Sequence, residues 1–423
     1  MLADRGVLDS MDDRKTIAIR FGEFVALIAA MMSIQAIAID AMLPAIPGIV
    51  DALHVSNPNH GQWIVTTYMA GLGTGQLFWG VLSDRFGRRP IVLGGMALYI
   101  VAALVCGLTR SFEALLAWRF VHGLAAASVT VIRSVVRDLY SGRQMAKVLS
   151  LTLMVFLTVP VLAPSLGQLI LWVAAWRAIF IVFGVFAVIV WLWAFIRLPE
   201  TLHPEYRLTL DPRHIASATR LVLLNRTSIF YTLAMTVMFG SLIAYVATVQ
   251  QIFSDVFHRS SLMPGMFALC AGFMGVAAFA NSQLVERLGM RLISHTAMLA
   301  FIGISALHVG IAALGGDHLW TFVVLQAATM ATFSLSVSNF GAMAMEPVGS
   351  VAGIGASLQG CISTGFAAVV AAVIGREFNA STLPLAAGSL SCGLIALAFV
   401  LAAEKGRLFR GQHAAPVESG FAH

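Results

Sequence analysis

The chain carries very little charge. Only 11% of its 423 residues are Asp, Glu, Lys or Arg, where an average soluble domain has about 25%. Hydrophobic residues make up 59%, and the mean hydropathy is +0.87. A globule must wet most of its surface, so these proportions exclude a large soluble enzyme. They leave a polytopic helical membrane protein. Cysteine is scarce too. Cys106, Cys270, Cys361 and Cys392 all lie within apolar runs, with no CxxC or Cys/His spacing, so no disulfide framework and no metal site is implied. There is no Walker loop, so ATP does not drive the chain directly. No HExxH, GxSxG or dinucleotide fingerprint appears either. No enzyme activity and no cofactor is expected. The formal net charge is +6, but the basic residues are scattered through short loops. Membrane topology explains that pattern better than nucleic acid does.

What the sequence does contain is a succession of apolar runs. A span needs about 20 mostly apolar residues rising 1.5 Å each. That ruler predicts about twelve spans, near 21–49, 61–81, 91–109, 112–138, 146–171, 176–197, 227–252, 263–285, 292–314, 318–343, 352–375 and 383–403. The first run is too long for a signal peptide and has no cleavage site, so it is expected to be retained. With both termini cytoplasmic, roughly 20 basic residues fall on the inner side. Only Arg110, Arg177, Arg259 and Arg376 then lie outside. The longest internal polar stretch, Leu198 to Asn225, ends in IASATRLVLL, which reads as an amphipathic helix at the inner interface. The expected organisation is a cytoplasmic tail at 1–20, a six-helix half at 21–197 and a cytoplasmic loop at 198–226. A second six-helix half at 227–404 and a cytoplasmic tail at 405–423 follow. The fold class is all-α membrane, with two pseudo-symmetric halves.

Between the second and third runs stands GVLSDRFGRR. Its counterpart in the second half, NSQLVERLGMR at 281–291, matches it at four positions. Asp84, Arg85, Gly87 and Arg89 correspond to Glu286, Arg287, Gly289 and Arg291, which supports a parallel internal duplication. The first loop resembles the signature of the major facilitator superfamily between its second and third spans, filled here by Gly80, Leu82, Asp84, Arg85, Gly87, Arg88 and Arg89. AIDAMLPAIPGI in the first run and RFVHGLAAASVTVIRSVVRDLY in the fourth are similar to elements of the Bcr/CflA-type proton-coupled multidrug exporters, as is MEPVGSVAG at 345–353. Two departures stand out. His122 replaces the family's usual Gln, and the fifth-span exporter signature is reduced to Ala163-Pro164 followed by Gly167-Gln168. The resemblance implies twelve spans in two halves that rock between inward-open and outward-open forms. It also implies location in a bacterial inner (plasma) membrane.

Candidate site residues follow from depth and chemistry. The resemblance implies that the loop at Gly80–Arg89 latches the halves in the outward-facing state. Asp84 would face the positive N-terminal end of the eleventh span, braced by Arg137; topology control by a basic loop is the alternative. Asp40 lies about 13 Å deep and Arg119 about 11 Å deep. A charge inside a span is costly enough to mark a functional site. A direct or water-bridged pair is expected, with Asp40 alternately taking up and releasing a proton. Pro44 and Pro47 free nearby carbonyls, so a structural hydrogen bond is the alternative for Asp40. Arg133, one turn from Arg137, is expected to support the inner gate or to snorkel to the interface. Pro160, Pro164 and Gly167 mark the fifth span as a kinked, closely packed gate helix. Gln35, Tyr68, Gln76, His122, Tyr245, Gln250, Asn339 and Gln359 are polar candidates for lining a cavity, among Met and Phe side chains suited to apolar cargo.

The sequence therefore points to a secondary transporter that exports small, mainly apolar drugs or toxic compounds in exchange for protons. The alternative is a proton-coupled carrier for a sugar, amino acid or peptide. Expected partners are the small-molecule substrate, protons and the lipid bilayer. A twelve-span chain supplies a whole pathway, so a monomer is expected.

Overall fold

The computed structural model describes residues 19–140, 148, 159, 162–202, 205 and 212–409. Pro160 lies outside the described residues. Inside a bilayer each segment must satisfy its own backbone N–H and C=O groups, and the long apolar runs do so as helices. No strand occurs among the described residues. The spans are α1 (Phe21–Ala52), α2 (Trp63–Phe86), α3 (Arg88–Leu108), α4 (Phe112–Leu139), α5 (Leu162–Val173) and α6 (Arg177–Arg197). A connecting helix, Pro212–Leu224, leads to α7 (Arg226–Val256), α8 (Ser260–Leu288), α9 (Met290–Ala313) and α10 (Leu319–Gly349). The last two are α11 (Ala352–Arg376) and α12 (Leu383–Ala403). Ten of these helices are long and apolar enough to cross a membrane. Two fall outside that set. The 24-residue α2 dilutes its hydropathy with glycine, threonine and glutamine and ends in Asp84 and Arg85. Only a short stretch of α5 is described.

The first span is not one continuous helix to residue 49. Its α-helix stops at Asp40, a 3-10 turn covers Leu43–Ala45, and a short helix resumes at Ile46–Ala52. Pro44 and Pro47 account for the break, because neither can donate to the helical ladder.

The duplication is visible in the backbone. Gly87 joins α2 to α3 at φ 104°, ψ 155°, and Gly289 joins α8 to α9 at φ 78°, ψ 151°. This combination of positive φ and extended ψ is open essentially to glycine alone. The two turns differ in what covers them. Glu200 sits against Gly87, whereas among the described residues no atom beyond Gly289's own chain neighbours lies within 4 Å of a side chain built there. The end of the molecule holding these turns is rich in arginine and is called the basic end below.

Glycines also set the closest helix contacts. A Cβ at Gly71 of α2 would overlap the Phe120 carbonyl of α4, and one at Gly123 would overlap the Tyr68 carbonyl. Without side chains at these positions the two backbones touch directly, as small residues permit between membrane helices. The seam between the halves uses the same device, with Gly73 of α2 against Gly365 of α11.

Gly71→Ala or Gly123→Ala is therefore expected to destabilise the protein by about 1–3 kcal/mol through overpacking. Thermal unfolding in detergent is the measurement. Gly94→Ala, where no atom lies within 4 Å, should leave the transition unchanged or slightly raised.

Candidate functional site

The site begins at the break in α1. Ala41 N–H bonds the Ile37 carbonyl at 3.1 Å, and Met42 N–H turns back to the Ile39 carbonyl at 3.3 Å. The Ala38 carbonyl is thereby left out of the ladder. Arg119 of α4 supplies its donor, with Nη2 3.1 Å away. The same guanidinium donates from Nε to the Ile64 carbonyl of α2 at 3.1 Å. Its third contact, from Nη1, is with His122 Nδ1 at 3.2 Å. The guanidinium carbon lies 4.4 Å from the centre of the Tyr68 ring. Arg119 is completely buried, so one cation ties α1, α2 and α4 together.

This geometry assigns the His122 tautomer. A guanidinium only donates, so Nδ1 accepts and the ring proton sits on Nε2. That Nε2 has no hydrogen-bond partner, and neither does the buried hydroxyl of Tyr68. The His122 ring lies between Tyr68 and Tyr99, with centroids 5.4 and 4.1 Å away.

Asp40, the last helical residue before the break, is 6% exposed. The expected direct Asp40–Arg119 ion pair is absent: three of the five guanidinium N–H groups go to two carbonyls and His122, and none goes to Asp40. The two residues share the break instead, with Arg119 gripping a carbonyl two residues before Asp40. On the other side, α5 closes in. A Cβ at Gly167 would overlap the Ala41 carbonyl, so that glycine brings α5 against the break. Pro164 is buried in the same helix.

Beyond this site, toward the end away from the basic loops, the halves are joined by amides. Gln62 Nε2 donates to Gln251 Oε1 at 2.6 Å. Gln251 Nε2 donates to the Pro58 carbonyl and to Asn59 Oδ1, both at 3.3 Å. Asn59 Nδ2 reaches the Phe378 carbonyl at 2.8 Å and the Arg376 carbonyl at 3.4 Å. The Gln62 amide lies over Gly375, where any Cβ would overlap it. Among the described residues, every hydrogen bond between the halves belongs to this group.

At the basic end the loop is tied within its own half. Arg88 pairs with Asp84, bonds Ser83 Oγ at 2.7 Å and meets Asp138 of α4 at 3.3 Å. Glu200 accepts from the Arg88 backbone N–H at 2.9 Å, and Arg89 donates to the Phe195 carbonyl at 2.7 Å. Arg85 stands over the Phe86 ring, and Gly80 faces Ser357 of α11. The expected brace from Arg137 to Asp84 is replaced by Arg88 and Asp138. Arg133 and Arg137 are both exposed. The second half has a different network. Glu404 Oε1 accepts from Arg291 at 2.7 Å and from the Tyr231 hydroxyl at 2.6 Å.

The other polar candidates divide into helix ties and unpaired groups. Gln35 donates to the Ala126 carbonyl at 2.7 Å, Asn339 to Asn281 at 2.8 Å and Gln359 to the Gly341 carbonyl at 3.2 Å. Gln76 faces Gly360 across the seam, and Tyr245 stacks on Phe267. Gln250 Oε1 is buried without a partner, as is Gln326 Nε2, which sequence reasoning missed. It also missed Asn59, Gln62, Gln251, Asp138 and Glu200. Only the Arg137-Asp138 dipeptide carried a signal, since it lies within the quoted fourth-span element.

The Major Facilitator Superfamily model matches residues 25–372. The chain is 28% identical over 376 residues to the bicyclomycin resistance protein homolog of Haemophilus influenzae, covering 88% of this chain and 94% of that protein. It is 28% identical over 390 residues to the multidrug resistance protein MdtL of Klebsiella pneumoniae, covering 90% and 95%. Its backbone resembles a partially occluded inward-open structure of the xylose transporter XylE from E. coli, with TM-score 0.71 at 11% identity over 93% of this chain and 99% of that one. That last likeness concerns fold alone.

Removing the amide tie should loosen the closed end. In a background lacking the four native cysteines, a cysteine at Thr66 reports access from that side. Gln62→Ala is expected to speed its labelling by an impermeant maleimide roughly fivefold, the equivalent of one buried hydrogen bond. An unchanged rate would mean that apolar packing alone keeps this end shut.

Proposed function

The chain belongs to the major facilitator superfamily, and from that premise we propose that it exports small, mainly apolar toxic compounds in exchange for protons across a bacterial inner membrane. The reading rests on one observation above all, the buried Asp40 carboxyl at a helix break whose Ala38 carbonyl is held by Arg119. An ionisable group at such depth is expensive to keep and marks a coupling site. The resistance proteins among the relatives support drugs as the cargo. The excess of Lys and Arg at the basic end supports a cytoplasmic location for that end and for both termini. A single chain then carries the pathway as a monomer.

On this reading the amide ties close the outer side and substrate enters from the basic end. Substrate arrival and a proton on Asp40 exclude one another. Arg119 keeps the α1 break in register while the outer end opens, and Gly167 lets α5 follow the break. When the inner end closes, Asp84 exchanges part of its bond to Arg88 for the positive N-terminal end of α11. Arg137 and Arg133 then stand at the closing gate.

Asp40→Asn keeps the shape and removes the titration. Export driven by an imposed pH gradient in inside-out vesicles should fall to background with expression unchanged. Undiminished gradient-driven export by this variant would overturn the assignment. A panel of dyes, phenicols, sugars and amino acids in a pump-deficient host separates drug export from metabolite transport. Altered sugar or amino-acid release with no drug phenotype would favour the metabolite carrier.

A further inference from the structure

On the wall of the second half that faces away from the seam, three helices leave a groove. α11 and α12 each pack along α7, but they meet each other over a short stretch. Gly240 of α7 lies against Val370 of α11, and Ser241 Oγ of α7 is 2.8 Å from Ser389 Oγ of α12. α11 and α12 touch at Gly388, where any Cβ would overlap Ile374. The result is an open cleft of about 470 Å³, with Val237 of α7 at its floor and Val369, Val373, Ser391 and Ile395 along its walls. Val369, Val373 and Ile395 are exposed within apolar spans, so this side faces lipid. The opposite face of α11 carries the seam, with Gly365 against Gly73 and Gly375 under the Gln62 amide.

The groove has the direction and the depth of one lipid chain. On α11 it runs from Glu377 to Val369, about 12 Å, and on α12 from Pro384 to Ile395, about 16 Å. The hydrocarbon of one leaflet is about 15 Å thick, half of the bilayer core. The mouth lies at the end that carries the amide tie, since Asn59 bonds the Arg376 carbonyl there. The walls ask for no hydrogen bond, because Ser391 Oγ donates to the Ala387 carbonyl of its own helix at 2.8 Å. Charge enters at the mouth, where Arg376 Nε donates to Glu377 Oε1 at 2.9 Å and both side chains are exposed. The other N–H groups of Arg376 have no partner among the described residues. A positive and a negative group side by side complement a headgroup that carries both signs. Filling such a cleft from hydrocarbon brings no hydrophobic gain, because lipid tails are as apolar as leucine. What an empty cleft forfeits is dispersion contact, and one chain that fits recovers it.

We propose that this groove seats one acyl chain of a zwitterionic aminophospholipid from the leaflet at the amide-tie end, with the phosphate on Arg376 and the ammonium on Glu377. The chain takes the place of the packing that α11 and α12 lack, and it backs α11 on the face opposite the seam. The free edge of the guanidinium suits a phosphate, and the carboxylate accepts from a primary ammonium. An anionic lipid without an amine matches only half of the mouth and is repelled by Glu377. This lipid is a resident of the wall and not cargo, so its binding stands apart from the substrate and direction of transport.

The test is photolabelling of the full chain in vesicles, using a phosphatidylethanolamine probe with a diazirine midway along one acyl chain, followed by peptide mapping. In the wild-type chain, label should gather on residues 369–377 and 384–395 roughly fivefold over Val185 and Ile189, similarly exposed apolar residues of α6. A phosphatidylglycerol probe with the same chain should label the groove roughly threefold less, the margin of one exposed ion pair. Ser391→Phe puts a ring into the groove from an exposed position and should lower groove labelling to the α6 level. Leu394→Phe, exposed on the same helix but outside the groove, should leave it unchanged. Groove labelling no higher than that of α6 in the wild-type chain would overturn the seat, as would labelling that Ser391→Phe does not lower. Equal labelling by the two probes would overturn the headgroup assignment.

Discussion

Arg119 is a completely buried cation, and its donors go to two carbonyls and a histidine. A charge taken out of water is tolerated only when hydrogen bonds compensate it, and here each guanidinium nitrogen makes one. Much of the first half follows from that requirement. One carbonyl is available because Pro44 and Pro47 interrupt α1. The second, from Ile64, is within reach because Gly71 and Gly123 let α2 and α4 touch backbone to backbone. His122 must present a bare Nδ1, which leaves its proton on Nε2. The arginine therefore fixes the break, the crossing and the tautomer together, and Asp40 stands at the break because its backbone ends the helix there.

The two halves share a turn and differ in how they secure it. Gly87 and Gly289 adopt the same backbone conformation. Around the first lie Asp84, Arg88, Asp138 and Glu200. Near the second, Arg291 goes to Glu404 together with Tyr231. The first arrangement can exchange partners, because Asp84 remains partly exposed. The second closes on itself through buried Tyr231 and the part-buried Arg291 and Glu404. Directional bonds between the halves occur, among the described residues, only at the Gln62 end. Uncharged amides suit that place, since each of them can break and re-form with water without leaving a charge stranded.

The helical runs and the burial of Asp40 and Arg119 were legible in the sequence; direction around each helix was not. Asp40 and Arg119 stand out because charges inside apolar runs are rare, and counting 1.5 Å per residue placed them at similar depth. The same count cannot say which way a side chain turns, and so it expected a pairing that no direct bond makes, since Arg119 turns to two carbonyls and His122. Pro44 and Pro47 announced the break in α1, although the length ruler carried the span past it to 49. Asn59, Gln62 and Gln251 are amides near span ends, where polar residues are ordinary, and only the meeting of two halves makes them a tie. Glu200 was hidden for the same reason, since it lies more than a hundred residues from the Arg88 backbone that it caps.

The central claim is that Asp40 carries the exchanged proton and that substrate displaces it. Proton release on substrate binding, followed in weakly buffered detergent solution with the purified protein, tests this most directly. The account predicts release close to one proton per substrate bound by the wild-type chain and none by Asp40→Asn with binding retained. Equal release by both proteins, or binding without release by the wild type, would contradict it.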